Sequence, residues 1–114
     1  MPPDVRVTVA VAKVLAAFLD DPSADRYGLD LMRATDQPSG TLYPILTRLQ
    51  RAGWIAAEWE QLDPAVAGRP PRRYYRLTPD GTVAARAEVA ALYDQLSRGL
   101  NAGRRRGTPN PRTA

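Results

Sequence analysis

The stretch "SGTLYPILTRLQRAGWI", residues 39–55, decides how the rest of the chain reads. Leu42, Ile45, Leu46 and Leu49 fall at i, i+3, i+4 and i+7, the single apolar stripe of an amphipathic helix. The side opposite the leucines holds Gly40, Tyr43, Pro44, Thr47, Arg48 and Arg51. No acid interrupts that face, and a surface of small, hydroxylated, aromatic and basic groups suits a helix laid into an anionic groove. Ser39 is placed to open the helix, its hydroxyl accepting from an unpaired first-turn amide. Gly53 closes it where a left-handed residue is commonly needed. Pro44 offers no amide and crowds the carbonyl of Gly40, which fits either a bent functional helix entry or a plain kinked core helix.

Downstream, "WIAAEWE" at 54–60 alternates, with Ile55, Ala57 and Trp59 to one side. "RRYYRL" at 72–77 alternates too, with Tyr75 and Leu77 inward and Arg72, Tyr74 and Arg76 outward. The pair predicts an antiparallel hairpin whose tip runs from Leu62 to Pro71. Pro64, Pro70 and Pro71 cannot donate ladder bonds, so the tip is expected to be a loop. The surrounding "GRPPRRYYRLTPDG", residues 68–81, carries Arg69, Arg72, Arg73 and Arg76 with no acid before Asp80. Thr78 and Pro79 make a cap and first-turn pair for a helix expected to reach Leu100, with Asp80 near the positive end of its dipole. Val89, Leu92, Tyr93, Leu96 and Leu100 give that helix an apolar stripe, and a second copy of the chain is the simplest cover for it.

Upstream, Val7 to Leu19 predicts a largely buried helix, with Thr8 as its cap and Val11, Leu15 and Phe18 on one stripe. "DDPS" at 20–23 stops it. A shorter helix follows from Tyr27 to Thr35, with Tyr27, Leu31 and Ala34 facing inward, and Asp36, Gln37 and Pro38 connect it to Ser39.

The totals limit the alternatives. With 114 residues, 44% apolar and 25% charged, the chain has the material for one domain with a modest core. It contains no Cys and no His, which removes thiol chemistry, disulfides, imidazole catalysis and Cys or His metal sites. No acid–base carboxylate pair suggests itself, so an enzyme is not expected, nor a cofactor. The net charge of +4 resides in residues 101–114, where Arg104, Arg105, Arg106 and Arg112 lie without an acid, so the remaining bases balance the 12 acids. That tail has no apolar pattern and is expected to be disordered. Local concentration of arginine between 69 and 76, not bulk charge, therefore carries the electrostatic argument. The apolar run from Val7 to Leu19 is broken by Lys13 and is too short for a membrane span, and it lacks the marks of a secretion signal, so a cytoplasmic protein is expected.

Three helices, a hairpin and a long closing helix make a mainly α chain with a small β-hairpin, a winged helix-turn-helix at residues 1–78 and a dimerisation helix at 79–100. "SGTLYPILTRLQRAGWI" followed by "GRPPRRYYRLTPDG" resembles the PadR family of bacterial transcription regulators over roughly residues 8 to 82, and the single helix after the wing resembles its compact subgroup. The resemblance implies a homodimer that binds an inverted-repeat operator in double-stranded DNA, usually as a repressor, with terminal helices in the interface. Leu42, Tyr43 and Pro44 match the recognition-helix signature. Tyr74, Tyr75, Leu77, Thr78 and Gly81 match the wing exit. The proline-rich "DPAVAGRPP" makes this wing tip longer and stiffer than the simplest family pattern. Some compact members bind flat aromatic molecules at the dimer interface, which brings in a small aromatic effector as an implied partner.

On this reading the DNA-contacting residues are Ser39, Gly40, Thr41, Tyr43, Thr47, Arg48 and Arg51 on the third helix and Arg69, Arg72 and Arg73 on the wing. The interface residues are Val89, Leu92, Tyr93, Leu96 and Leu100. Arg48 and Arg51 fit a solvated face as well as a base contact. Tyr75 reads as core, Tyr43 can face either way, and Trp54 and Trp59 read as core or hairpin-packing residues rather than as a ligand pocket, since neither lies on the interface helix. The competing function is a winged-helix protein-interaction module, which uses the same fold without DNA. A contiguous apolar patch on the third helix would favour it, and the acid-free basic face does not.

Overall fold

The computed structural model describes residues 5–105. In chain order its elements are α1 (Val9–Leu19), β1 (Arg26–Tyr27), α2 (Gly28–Thr35), α3 (Ser39–Arg51), β2 (Ile55–Trp59), the single turn α4 (Pro64–Ala67), β3 (Arg73–Leu77) and α5 (Pro79–Arg105). Thr8 caps α1 as expected, its hydroxyl accepting from the Val11 amide at 3.3 Å. Val11, Val14, Leu15 and Phe18 of α1 meet Leu31 of α2 and the whole leucine stripe of α3 in one core, which Trp54, Ile55, Tyr75, Leu77 and Ala85 close. Four fully buried side chains on one face of α3 fix that helix and turn its other face outward.

Local chemistry explains how α3 is held. Pro38, not Ser39, occupies the cap position, and Ser39 makes no capping bond. The Pro38 carbonyl accepts from the amides of Thr41 and Leu42, so these two are satisfied without a hydroxyl. The helix runs unbroken through Pro44. Gly53 takes φ +78°, and the amides of Gly53 and Trp54 return to the carbonyls of Gln50 and Leu49, a Schellman closure. α2 differs from its expected pattern at both ends: it begins at Gly28, Tyr27 being a half-buried residue of β1, and Ala34 is exposed while Thr35 is buried. The Thr35 hydroxyl donates to the Leu31 carbonyl at 2.6 Å, which removes the cost of burying it.

The wing is the antiparallel pair β2–β3, with Ile55 opposite Leu77 and Trp59 opposite Arg73. β1 adds a third strand, Arg26 against Tyr75 and Tyr27 against Tyr74, giving the order β1-β3-β2. The tip is a capped helical turn rather than a plain loop: Asp63 accepts from the Ala65 amide at 2.9 Å, and Gly68 leaves the turn in the left-handed region. Of the two readings for Trp59, core or hairpin packing, the structure shows the second: it is 57% exposed and its ring lies against Arg73 across the hairpin.

α5 begins at a tight junction. The Thr78 hydroxyl accepts from the Gly81 amide at 2.9 Å and itself donates to the Gly53 carbonyl at 2.7 Å, while the Thr78 amide bonds the Trp54 carbonyl at 3.0 Å. A methyl group on Gly81 would overlap the Trp54 carbonyl, so the glycine is required by backbone contact. α5 then packs on α1 through Ala85 and Val89 and continues through Arg105, five residues beyond the expected stop. The start of the expected disordered tail is thus helical, and its remainder, with Arg106 and Arg112, lies outside the described residues. Among the described residues no helix is long and apolar enough to cross a membrane.

Candidate nucleic-acid interface

Every sequence-derived α3 candidate, Ser39, Gly40, Thr41, Tyr43, Thr47, Arg48 and Arg51, is exposed. Two are partly organised by the helix itself. The Thr47 hydroxyl donates to the Tyr43 carbonyl at 3.0 Å, and Arg48 Nε reaches the Pro44 carbonyl at 3.5 Å. Tyr43 is only half free, because its ring and hydroxyl lie against Gly28, where any side chain would collide with them. Its ring therefore leans on the first turn of α2 and lines an open cleft of about 460 Å3. Across that cleft stand Arg72, Arg73 and Tyr75 of the wing, with Asp30 of α2 as an acid on its wall. The structure thus brings Tyr43 of α3, the start of α2 and the wing's Arg72 and Arg73 to one opening.

The four wing arginines are not equivalent. Arg72 is exposed and has no ion pair among the described residues. Arg73 is half-buried, its guanidinium carbon 5.5 Å from the centroid of the Trp59 ring, an arrangement that leaves its charge in place. Arg76 lies near two acids, Asp25 at 3.6 Å and Glu58 at 3.8 Å. Arg69, one of the expected DNA contacts, is paired with Glu60, Nη1 to Oε1 at 2.6 Å and Nη2 to Oε2 at 3.2 Å. The acid missing from "GRPPRRYYRL" is supplied from across the hairpin.

Glu60 is a residue of the wing base that sequence reasoning misses. Its side chain is 15% exposed and accepts two further bonds, from the Arg72 amide at 2.8 Å and the Tyr27 hydroxyl at 2.9 Å. The Arg69 bond, with those of the Arg72 amide and Tyr27, holds its carboxyl down at about 2. In return the Arg69 guanidinium is held more firmly protonated, and the Tyr27 phenol is raised by donating to the carboxylate. Tyr74 is raised in the same way by donating to Glu58 at 2.8 Å, whereas burial raises Tyr75. A signal for the Glu60 contact exists in the sequence: extending the register one step beyond Trp59–Arg73 sets Glu60 beside Arg72, and their backbones do bond at 2.9 Å.

On α5 the expected interface stripe divides. Val89 and Leu92 are partly covered, but Leu96 is 52%, Leu100 69% and Tyr93 73% exposed.

A three-helix core, a twisted antiparallel wing and an exposed, acid-free third helix define the winged helix-turn-helix class of DNA-binding transcription regulators. The sequence model of the transcriptional regulator PadR-like family matches residues 19–88, and the chain belongs to that family. No curated protein matches the chain. Among solved structures it is similar to a PadR-like transcription factor from Bacteroides fragilis, at 25% identity and a TM-score of 0.58, covering 82% of this chain and 92% of that one. The circadian clock associated protein Pex from Anabaena aligns at 21% identity and TM-score 0.58, over 81% of each chain. BpsR of Bordetella bronchiseptica, whose DNA binding is regulated by 6-hydroxynicotinic acid, shares the fold at 24% identity and TM-score 0.65, over 85% of this chain and 63% of its own.

Proposed function

We propose that the protein is a homodimeric transcriptional repressor that occupies an inverted-repeat operator, with α3 as reader and the wing as clamp. The observation that carries this reading is the common opening onto which Tyr43 of α3 and Arg72 and Arg73 of the wing converge. Residues up to 78 form the DNA-binding unit, and the helix from 79 to 100 dimerises through Val89, Leu92, Tyr93, Leu96 and Leu100. Tyr43, Thr47, Arg48 and Arg51 reach base edges in the major groove, while Ser39, Gly40 and Thr41 bring the helix start, where the Ser39 and Gly40 amides have no intrahelical acceptor, to the backbone. Arg72 and Arg73 neutralise phosphates, which positions the protein without reading sequence. Arg69 is not among the direct contacts, since its charge is already matched by Glu60. An aromatic effector is not part of this reading: Trp54 is buried and Trp59 belongs to the wing, so neither offers a ring to the α5 face.

Selection of bound sequences from a random pool of duplex DNA tests the proposal. Enrichment of an inverted repeat, with half-sites about one helical turn or a multiple of it apart, is the expected result. No enrichment above background would favour the protein-interaction reading, and a single asymmetric site would remove the dimer from it.

A further inference from the structure

Arg69, Arg72, Glu60 and Tyr27 form a knot at the base of the wing tip. Glu60 sits on the strand side, just beyond β2, and its two oxygens take four donors: both terminal nitrogens of Arg69, the Arg72 amide and the Tyr27 hydroxyl. These donors come from three places in the chain, namely the end of the α4 turn, the residue just ahead of β3 and the residue that precedes α2. One carboxylate therefore lashes the proline-rich tip to the body of the domain. It also cancels one of the four wing charges.

We propose that Glu60 is a positioning residue of the DNA clamp, which withholds Arg69 from phosphate and holds the Arg72 backbone so that the Arg72 side chain alone is presented at that point of the wing. The inference rests on the reading of the wing as a phosphate contact. Its consequence is contrary to the usual result of mutating a side chain at an interface. Replacing Glu60 by Gln keeps one oxygen to accept from the Arg72 amide and turns the other position into an NH2 that donates to the Tyr27 hydroxyl oxygen. It removes the charge that holds Arg69 and so frees a guanidinium close to the DNA backbone. Nonspecific binding is then strengthened by one more neutralised phosphate.

The test is a salt titration of the full chain on a fluorescein-labelled duplex of random sequence, read by anisotropy, with Glu60→Gln, Arg69→Gln and the double variant. Each neutralised phosphate contributes about 0.9 to the slope of log K against log salt. Glu60→Gln is expected to steepen the slope by about 0.9 per subunit, equivalent to roughly a further 3.5-fold loss of affinity per subunit between 50 and 200 mM salt. Arg69→Gln alone is expected to leave the slope unchanged, and the double variant to return it to the wild-type value. An unchanged or shallower slope in folded Glu60→Gln overturns the proposal. So does a drop of about 0.9 per subunit in Arg69→Gln alone, because Arg69 would then already be on a phosphate. If Glu60→Gln fails to fold, as circular dichroism would report, the Arg69→Gln slope decides by itself. A wild-type chain that shows no salt-dependent binding would sink the clamp reading, a result distinct from either of these.

Discussion

Leu96→Asp is the sharpest test of how the two reading helices are brought together. In a single chain Leu96 is 52% exposed and is not one of the core residues, so the substitution leaves the packing of that chain intact. Its cost falls on the proposed interface. Fully burying a leucine is worth about 1.5–3 kcal/mol, so covering its exposed half contributes roughly 1 kcal/mol per copy. A carboxylate without a partner in an apolar seam adds about 1–3 kcal/mol or more. Both copies carry the change, which totals roughly 4–8 kcal/mol and raises the dimer dissociation constant by about three to six orders of magnitude. Arg98→Gln is the control, since it changes the charge by the same amount from the opposite side of α5, where Arg98 makes only the exposed pair with Asp94 at 2.9 Å. Sedimentation is expected to show a folded monomer for Leu96→Asp and a dimer for Arg98→Gln, with circular dichroism unchanged in both. A Leu96→Asp chain that remains dimeric at nanomolar concentration would place the interface elsewhere. One that loses its helical signal would mean that the stripe belongs to the fold of the single chain.

Three further outcomes are expected. The Arg72→Ala, Arg73→Ala double variant should bind all sequences more weakly by similar factors and flatten the salt slope by about one unit for each phosphate no longer neutralised, whereas Thr47→Ala or Arg51→Ala should relax preference at particular base pairs by roughly 1–3 kcal/mol where a bidentate base pairing is removed; a panel of singly substituted operators separates the two, and a reversal of the patterns would make the wing the reader. Gly81→Ala should destabilise the domain by roughly 1–3 kcal/mol, seen as a thermal midpoint several degrees lower, because its methyl must displace the Trp54 carbonyl; an unchanged midpoint would show that the junction is loose. Glu60 has its folded-state pKa depressed from 4.5 to about 2, so its stabilisation is complete above about 4.5 and is lost as pH falls towards 2. Midpoints measured through that window should therefore fall more steeply for the wild type than for Glu60→Gln, and parallel curves would contradict the assignment.

How much the sequence reveals depends on whether a residue's environment is set by its near neighbours. The α3 stripe repeats over two turns, and all four of its members are buried. The capping role of Thr78 acts within one turn of α5 and follows from spacing, whereas its bonds to Gly53 and Trp54 and the close approach of Gly81 to the Trp54 carbonyl join residues far apart in the chain and do not. β1 has two residues, too few for any periodicity, and exists because β3 offers it an edge. The end of α5 lies beyond its expected stop because no proline falls between Leu100 and Arg105, and Gly103 weakens a helix without ending it. The wing arginines are harder to assign because charge pairing is a long-range property. Arg69 meets an acid nine positions earlier in the chain, and Arg76 meets Asp25 of the connection between α1 and β1. Counting charges along the strand overstates the positive field of the wing by two of its four arginines.

The junction at Trp54 explains why dimer geometry and DNA reading would be inseparable in this fold. The Trp54 residue joins α3 to β2, its carbonyl receives the Thr78 amide, and Gly81 packs directly upon it. α5 therefore leaves the body of the domain close to the C-terminal end of α3, through backbone contacts that have little freedom to yield. In the proposed dimer the path from one α3 to the other runs down α5, across the stripe at Leu96 and back up the partner's helix, with the rigid Trp54 junction at each end. The distance between the two reading helices is then fixed by where along α5 the stripes meet. Moving that contact by one helical turn would shift it by about 5.4 Å, well over one base-pair step. A perturbation of the α5 face, even one that leaves the dimer associated, would consequently appear as a change in the preferred spacing between half-sites rather than as a change in the bases recognised within them.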